Sequence, residues 1–201
     1  VVRVSAEEAK AALTASGFLA PEYEVSSDDA GAKIVAHGVA SHAAAPEHGK
    51  SAILMLADAL EKAGLVGGAS LRGVQAIRFF AQGYYGEQMG IACEDPDTGK
   101  TTMTVGVART YGDEIELHAD CRLSVAANPA QMAARFEEAA RNAGFDVIET
   151  KTTEPVFMEK TDPRVQALQK AYFEMTGDDC PPYTMGGGTY SRCMENAITF
   201  G

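Results

Sequence analysis

The hydrophobic pattern of the chain predicts five helices. Apolar or alanine-rich positions recur with helical spacing in residues 5–14, 50–63, 71–82, 128–143 and 162–175. Ser5 and Glu8 have the spacing of a capping box, in which each side chain accepts a hydrogen bond from the other residue's backbone N–H. Pro129 stands at the first position of the fourth helix, where its missing N–H costs nothing.

Other segments alternate between apolar and polar residues, which is typical of strands. They are residues 23–25, 33–39, 101–109, 114–125 and 145–150. Polar turn signals at 26–29 and 111–113 predict that the first four strands form two hairpins. The order of the elements favours an α+β fold, with an antiparallel sheet that carries helices on one face.

The character of the sequence changes near Glu154. A helix, two adjacent prolines and a run of glycines follow that point. We therefore expect one domain over residues 1–153 and a partial second domain over residues 154–201. The chain starts at Val1 without a methionine and stops within an apolar run, so we expect it to be a piece of a longer protein.

The composition of the chain limits the classes of partner that it is expected to bind. The formal net charge of −11 argues against nucleic acid, because a phosphate-binding surface needs clustered Lys and Arg. No apolar stretch approaches the ~20 residues that span a bilayer, so no membrane partner is expected. The four cysteines have no CxxC spacing, which makes a zinc site or a disulfide framework within this chain unexpected. A cytoplasmic location fits best.

His42 is the first candidate for chemistry. It stands in the segment S-H-A-A-A-P-E (residues 41–47), between a predicted strand and a predicted helix. Its small neighbours would leave the ring accessible, and an imidazole there could polarise a carbonyl group or stabilise an oxyanion. The alternative is a histidine that caps the turn that follows.

Arg122 is the second candidate. A guanidinium at the end of this strand is suited to bidentate binding of a carboxylate. The alternative is an ordinary cross-strand pair with a nearby acid. Glu116, His118 and Asp120 alternate along the same strand and have a spacing that metal ligands could use, although a half-exposed strand face is the favoured interpretation.

The third candidate is the glycine run at residues 186–188, within M-G-G-G-T-Y-S-R (residues 185–192). Consecutive glycines permit positive φ angles and close approach of the backbone. Their amides could hold an anionic group or a peptide carboxylate. A phosphate-binding loop is a weaker interpretation, because no Gly-Lys-Ser/Thr sequence follows.

Together these segments resemble the bacterial dipeptidases of the peptidase V type. That group belongs to the broad family of two-zinc aminopeptidases, carboxypeptidases, deacylases and carnosinase-like enzymes. The resemblance rests on residues 40–46 with 49–52, on residues 117–122, and on residues 186–192 with 196–201, with residues 85–91 between them. It covers nearly the whole chain.

The resemblance implies different roles for the two parts of the chain. Residues 1–153 would be a lid or dimerisation-type domain with ferredoxin-like sandwich halves, and residues 154–201 a piece of the α/β catalytic domain. His42 would contact the substrate carbonyl and help to stabilise the tetrahedral intermediate. Arg122 would bind the C-terminal carboxylate of a dipeptide. The substrate pocket would also be lined by Gly187, Gly188, Thr189 and Ser191.

The metal ligands of that family have no counterpart in this chain. The resemblance implies two zinc ions in the full-length parent and none bound by these 201 residues, which alone should be inactive. The remainder of the catalytic domain would then be a partner, in a monomer or a homodimer. Two rival interpretations remain: the lid of an N-acyl amino acid deacylase or desuccinylase, and a non-catalytic dimerisation module.

Overall fold

The computed structural model describes residues 1–187, 190–194 and 197–199, with the backbone alone for Arg192. The helices are α1 Ala6–Ala15, α2 Ala52–Lys62, α3 Gly68–Ala81, α4 Pro129–Asn142 and α5 Pro163–Thr176. The strands are β1 Tyr23–Asp28, β2 Gly31–Ala36, β3 Glu94–Asp95, β4 Gly99–Lys100, β5 Thr102–Tyr111 and β6 Glu114–Arg122. Short 3-10 helices occupy Pro46–His48, Glu87–Met89 and Tyr190–Cys193.

The α+β class and the antiparallel pairing expected from the sequence are confirmed. Within the described residues the strands pair as three hairpins, β1–β2, β3–β4 and β5–β6. Helix α2 contacts both β2 and β5. The first and third hairpins are therefore joined through side chains packed on one helix rather than through a shared hydrogen-bonded ladder.

The start of helix α1 is determined by residues that are close together in the sequence. The Ser5 hydroxyl accepts a hydrogen bond from the Glu8 backbone N–H at 3.2 Å, and the Glu8 carboxylate accepts one from the Ser5 N–H at 2.9 Å. The predicted capping box is therefore confirmed. Helix α1 then buries Ala9 and Leu13 against the β1–β2 hairpin.

The first hairpin turns later than predicted. The turn expected at residues 26–29 is wrong, since β1 continues to Asp28, which pairs with Gly31. The turn consists of Asp29 and Ala30, and the Asp28 carboxylate accepts the Ala30 N–H at 3.1 Å. Polar residues 26–28 can remain in the strand because that part of it is exposed.

The main apolar core lies between α3, α4 and the β5–β6 hairpin. Its buried members are Phe80, Ala81, Met89, Ile91, Met103, Val105, Ala127, Met132 and Ala140. Ile53 and Leu54 of α2 pack against this cluster, whereas Met55 and Ala59 of the same helix belong to a second cluster with Leu13. Helix α2 thereby connects the N-terminal hairpin to the rest of the fold.

The strand expected at residues 145–150 is wrong, because this segment has no regular structure. The alternation that suggested it is nevertheless real. Phe145 and Val147 pack against the main core, while Ile148 is 88% exposed. None of the described strands pairs with this segment, so the alternating pattern here reflects packing against the core rather than a hydrogen-bonded ladder.

Helix α5 begins and ends where the sequence indicated. The Asp162 carboxylate accepts the Arg164 N–H at 2.8 Å, and Gly177 ends the helix with a φ of 72°. Only Val165 of this helix is buried. The domain boundary near residue 154 stays a prediction. Among the described residues, no helix is both long and apolar enough to cross a bilayer.

Candidate functional site

His42 lies in a loop that is closed at its base by one antiparallel residue pair. The Val39 N–H donates to the Lys50 carbonyl at 3.0 Å, and the Lys50 N–H donates to the Val39 carbonyl at 2.8 Å. A Cβ at Gly38 would lie 2.3 Å from the Lys50 carbonyl oxygen, and one at Gly49 would lie 2.8 Å from that of Val39. The two glycines are therefore required for the closed base of this loop, residues 40–49, called the His42 loop below.

A tight turn fixes the start of the His42 loop. The Ala45 N–H donates to the His42 carbonyl at 2.9 Å, and the Ser41 hydroxyl donates to the Ala45 carbonyl. The His42 ring accepts the Ala44 N–H at Nδ1, at 3.1 Å. A neutral ring in that arrangement carries its proton on Nε2. The ring is exposed, so it caps its own turn and still offers an N–H donor to a ligand.

Two side chains attach the His42 loop to the rest of the fold. The Thr102 hydroxyl donates to the Ala43 carbonyl at 2.7 Å, and the Tyr84 hydroxyl donates to the Gly49 carbonyl at 3.3 Å. Thr102 is buried and is the first residue of β5. The loop is therefore held near its start by the hairpin that carries Arg122 and at its end by Tyr84, which follows α3.

Arg122 is the last residue of β6 and lies opposite Thr102 in the ladder. Its guanidinium forms two parallel hydrogen bonds with Asp120, Nε to Oδ1 at 2.7 Å and Nη2 to Oδ2 at 2.8 Å. The acid that pairs with Arg122 is on the same strand, two residues earlier, rather than across the ladder. About a third of the arginine side chain is exposed.

The glycine run lies close to both Arg122 and the His42 loop. The Arg122 Nη1 lies 3.5 Å from the Gly186 carbonyl oxygen, the outer limit of a hydrogen bond. A Cβ at Gly186 would lie 2.4 Å from the Ala44 Cβ, so only glycine permits this approach to the His42 loop. The three candidates that the sequence singled out separately are thus neighbours in the fold.

An open crevice of about 1360 Å³ runs along this junction. Its wall includes Ala44, Thr102, Arg122, Gly187 and Ser191. The His42 ring itself is not part of that wall, although Ala44 of the same loop is. Gly188 and Thr189, also expected at the site, lie outside the described residues. The crevice is larger than the ~300–1000 Å³ of usual small-molecule pockets, which matches an open trough rather than a closed pocket.

The polar face of β6 carries two side-chain pairs, Glu116 with His118 and Asp120 with Arg122. The Glu116 carboxylate accepts a hydrogen bond from the His118 ring at 2.5 Å, and the Asp120 carboxylate binds Arg122. Within residues 1–187, 190–194 and 197–199, no three His, Cys, Asp or Glu side chains gather into a metal-binding set. The described residues therefore do not fit a two-zinc site.

For three residues of the site, Asp120, Gly186 and Thr102, sequence reasoning did not find the contacts that the structure shows. Asp120 could have been found from its two-residue spacing to Arg122, which places both side chains on one face of a strand. Gly186 belongs to the predicted glycine run, but its close approach to Ala44 needs the tertiary structure. Thr102 carried no signal beyond its place near the start of a strand.

No protein-family model matches the chain. It is 31% identical over 166 residues to a "Putative dipeptidase" of Staphylococcus saprophyticus and 32% identical over 166 residues to another of Staphylococcus haemolyticus. A third, from Bacillus subtilis, is 31% identical over 167 residues. Each alignment covers 82% of this chain and 35% of the relative, so the chain spans about a third of the length of these curated relatives.

Proposed function

We propose that this chain is the substrate-covering part of a dipeptidase, an enzyme that hydrolyses the peptide bond of dipeptides. The observation that carries the proposal is the convergence of the His42 loop, Arg122 and Gly186 at one crevice. The similarity to proteins named as dipeptidases supports it. Because the chain spans only about a third of those relatives, the activity belongs to a longer protein.

On this proposal Arg122 binds the C-terminal carboxylate of the dipeptide. A guanidinium suits this role because it stays charged and offers paired N–H donors at the spacing of two carboxylate oxygens. Free dipeptides always carry that carboxylate, whereas C-terminally amidated ones do not. Substrate selection would therefore depend on one charged contact.

His42 would contact the carbonyl group of the peptide bond that is hydrolysed. Its Nε2–H is the donor left over once Nδ1 accepts the Ala44 N–H. Such a donor can stabilise the negative charge that develops on the carbonyl oxygen as water attacks. Gly187, Gly188, Thr189 and Ser191 would complete the walls of the substrate pocket, of which Gly187 and Ser191 line the crevice.

Two zinc ions would supply the activated water in the complete enzyme. The described residues of this chain do not offer a ligand set for them, so their ligands would come from the rest of the protein. This chain contributes binding and orientation of the substrate. We expect no dipeptide hydrolysis by the 201 residues alone with added zinc, and measurable turnover by them would contradict this part of the proposal.

The exposed surface of residues 154–201 is rich in apolar side chains, which supports the proposal that another part of the protein covers it. Many of its large apolar side chains are exposed in this chain: Val156, Phe173, Met175, Tyr183, Met185, Tyr190 and Met194. We propose that residues 154–201 belong to the catalytic domain and that its remainder covers these side chains. Residues 1–153 would be the lid, in a cytoplasmic protein whose four cysteines are free.

The test compares free and C-terminally amidated dipeptides in the full-length protein. Replacing Arg122 with Ala should lower kcat/KM for free dipeptides about 10- to 100-fold, since hydrogen bonds between charged groups contribute about 1.5–3 kcal/mol. Amidated dipeptides should change by less than about threefold, because they lack the charge. Arg109→Ala is the matched control, since Arg109 is an exposed arginine of the same hairpin, opposite Glu116.

Equal losses for both substrates would refute the role of Arg122. A full-length protein that cleaves N-acyl amino acids and leaves dipeptides intact would favour the deacylase interpretation. A protein that forms a stable dimer by light scattering and cleaves neither substrate would favour the dimerisation module.

A further inference from the structure

We propose that Asp120 is a positioning residue for Arg122. Its carboxylate would hold the guanidinium from the side, so that only the edge formed by the two terminal nitrogens meets the substrate. This inference rests on the proposed function, because it concerns how the substrate's carboxylate is received. Neither the sequence nor the similarity to dipeptidases assigns this residue a role.

Asp120 and Arg122 form a pair with a defined geometry. Nε and Nη2 of Arg122 donate to the two oxygens of Asp120 at 2.7 and 2.8 Å. This is the side-on arrangement, in which two parallel N–H groups face two carboxylate oxygens. In the β5–β6 ladder Arg122 lies opposite Thr102, and Asp120 lies opposite Thr104. The backbone of β6 therefore fixes the direction from which the acid approaches.

Arg122 keeps further hydrogen-bond donors once it is paired with Asp120. A guanidinium has five N–H groups, and Asp120 takes the Nε–H and one of those on Nη2. The Gly186 carbonyl lies near Nη1 at 3.5 Å. The outer edge, between Nη1 and Nη2, can still receive a second carboxylate. A dipeptide would thus be anchored end-on, with the direction of its C-terminus set by the arginine plane.

Asp120 has opposite effects on the charge and on the orientation of Arg122. Asp120 offsets part of the positive charge of Arg122 and repels an incoming carboxylate, but both side chains are a third to nearly half exposed, where water and salt weaken this repulsion. An arginine without a partner would sample many rotamers and lose the fixed plane. The two effects oppose each other in binding, whereas only orientation affects the chemical step. Loss of Asp120 should therefore appear mainly in kcat.

The experiment is kinetic, on the full-length protein with the Asp120→Asn substitution. For free dipeptides we expect kcat to fall about tenfold and KM to stay within about threefold. Amidated dipeptides, which do not use Arg122, should change by less than twofold. The matched control is Glu116→Gln, which removes the same charge from the same strand face but from the pair with His118.

Each outcome separates the inference from its premise. Equal losses for free and amidated dipeptides would mean that Asp120 only supports the fold, and a lower KM with unchanged kcat would mean that it competes with substrate. Either result, or no change at all, overturns the positioning role. If wild type fails to cleave dipeptides, or if Arg122→Ala affects both substrates equally, the proposed function fails instead.

A second measurement does not depend on activity. In nitrogen-15 NMR spectra of the full-length protein, the Nε–H of Arg122, assigned by its loss in Arg122→Ala, should exchange slowly with water. The same signal should exchange rapidly in Asp120→Asn and remain slow in Glu116→Gln. Rapid exchange in wild type would show that the side-on pair does not persist in solution, and would overturn the inference whatever the substrate is.

Discussion

Thr102 lies directly opposite Arg122 in the β5–β6 ladder and donates its hydroxyl proton to the Ala43 carbonyl at 2.7 Å. One residue thus joins the strand that carries the arginine to the loop that carries His42. The distance between a group that would bind the substrate's carboxylate and a group that would contact its carbonyl depends on this link. Catalytic groups need to be held within about 0.5 Å of the productive geometry, so the link should matter for rate.

Replacing Thr102 with Val tests this link. Valine keeps the shape of threonine but cannot donate, so the Ala43 carbonyl loses its partner and the His42 loop loses one of the two side-chain hydrogen bonds that attach it to the fold. The free energy of unfolding should fall by about 1–2 kcal/mol. In the full-length protein, kcat for dipeptides should fall several-fold, with KM nearly unchanged, because the loop is displaced rather than removed.

Thr104→Val is the matched control for that change. Thr104 lies on the same strand, opposite Asp120, and no contact joins its hydroxyl to the His42 loop among the described hydrogen bonds. Steady-state kinetics and thermal unfolding of both variants make the comparison. If Thr104→Val lowers kcat as much as Thr102→Val does, the link between Thr102 and the His42 loop has no special role.

The approach of the glycine run to the His42 loop gives a second prediction. A methyl group at Gly186 would lie 2.4 Å from the Ala44 Cβ, so Gly186→Ala must push the two segments apart. Such overpacking typically costs about 1–3 kcal/mol. Gly187→Ala is the control for stability, because the atom nearest to its Cβ would be the Met185 Cε at 3.7 Å, an ordinary contact. Equal shifts in thermal unfolding for the two variants would show that this packing is absent in solution.

Much of the secondary structure could be predicted because its signals are local. The Ser5 cap, the Pro129 helix start and the turn at Gly112 each depend on residues within a few positions of one another. The strand expected at 145–150 could not be judged in this way. Its alternation is satisfied by packing against the core, and a strand also needs a neighbouring edge, which no local pattern reports.

The arrangement of the site could not be predicted from the sequence, for a similar reason. Counting back from the Tyr111–Glu114 pair, an unbroken ladder would place Met103 opposite Arg122. The register shifts by one residue between Val105 and Val107, which brings Thr102 there instead. A shift of one residue exchanges the two faces of a strand, so Thr102 became part of the site through a bulge that alternation alone did not reveal.

Cysteine reactivity tests the packing behind the site. Burial, with a smaller contribution from Asp120, raises the pKa of the Cys121 thiol to about 12, whereas Cys180 is exposed. Since the thiolate is the reactive form, at pH 8 only about one Cys121 in 10⁴ would be ionised, and the group stays protonated until the pH approaches 12. Iodoacetamide should modify Cys180 and spare Cys121, as read by mass spectrometry. Modification of both at the same rate in the native protein would contradict this packing.

The last prediction concerns His42 itself. If its Nε2–H stabilises charge that develops only during the reaction, then His42→Ala in the full-length protein should lower kcat about 10²- to 10³-fold and leave KM within about threefold. His48→Ala is the matched control, because His48 is an exposed histidine of the same loop. His42→Gln should recover part of the rate, since an amide can also donate a hydrogen bond. A rise in KM with unchanged kcat would place His42 in ground-state binding, and the oxyanion role would then be wrong.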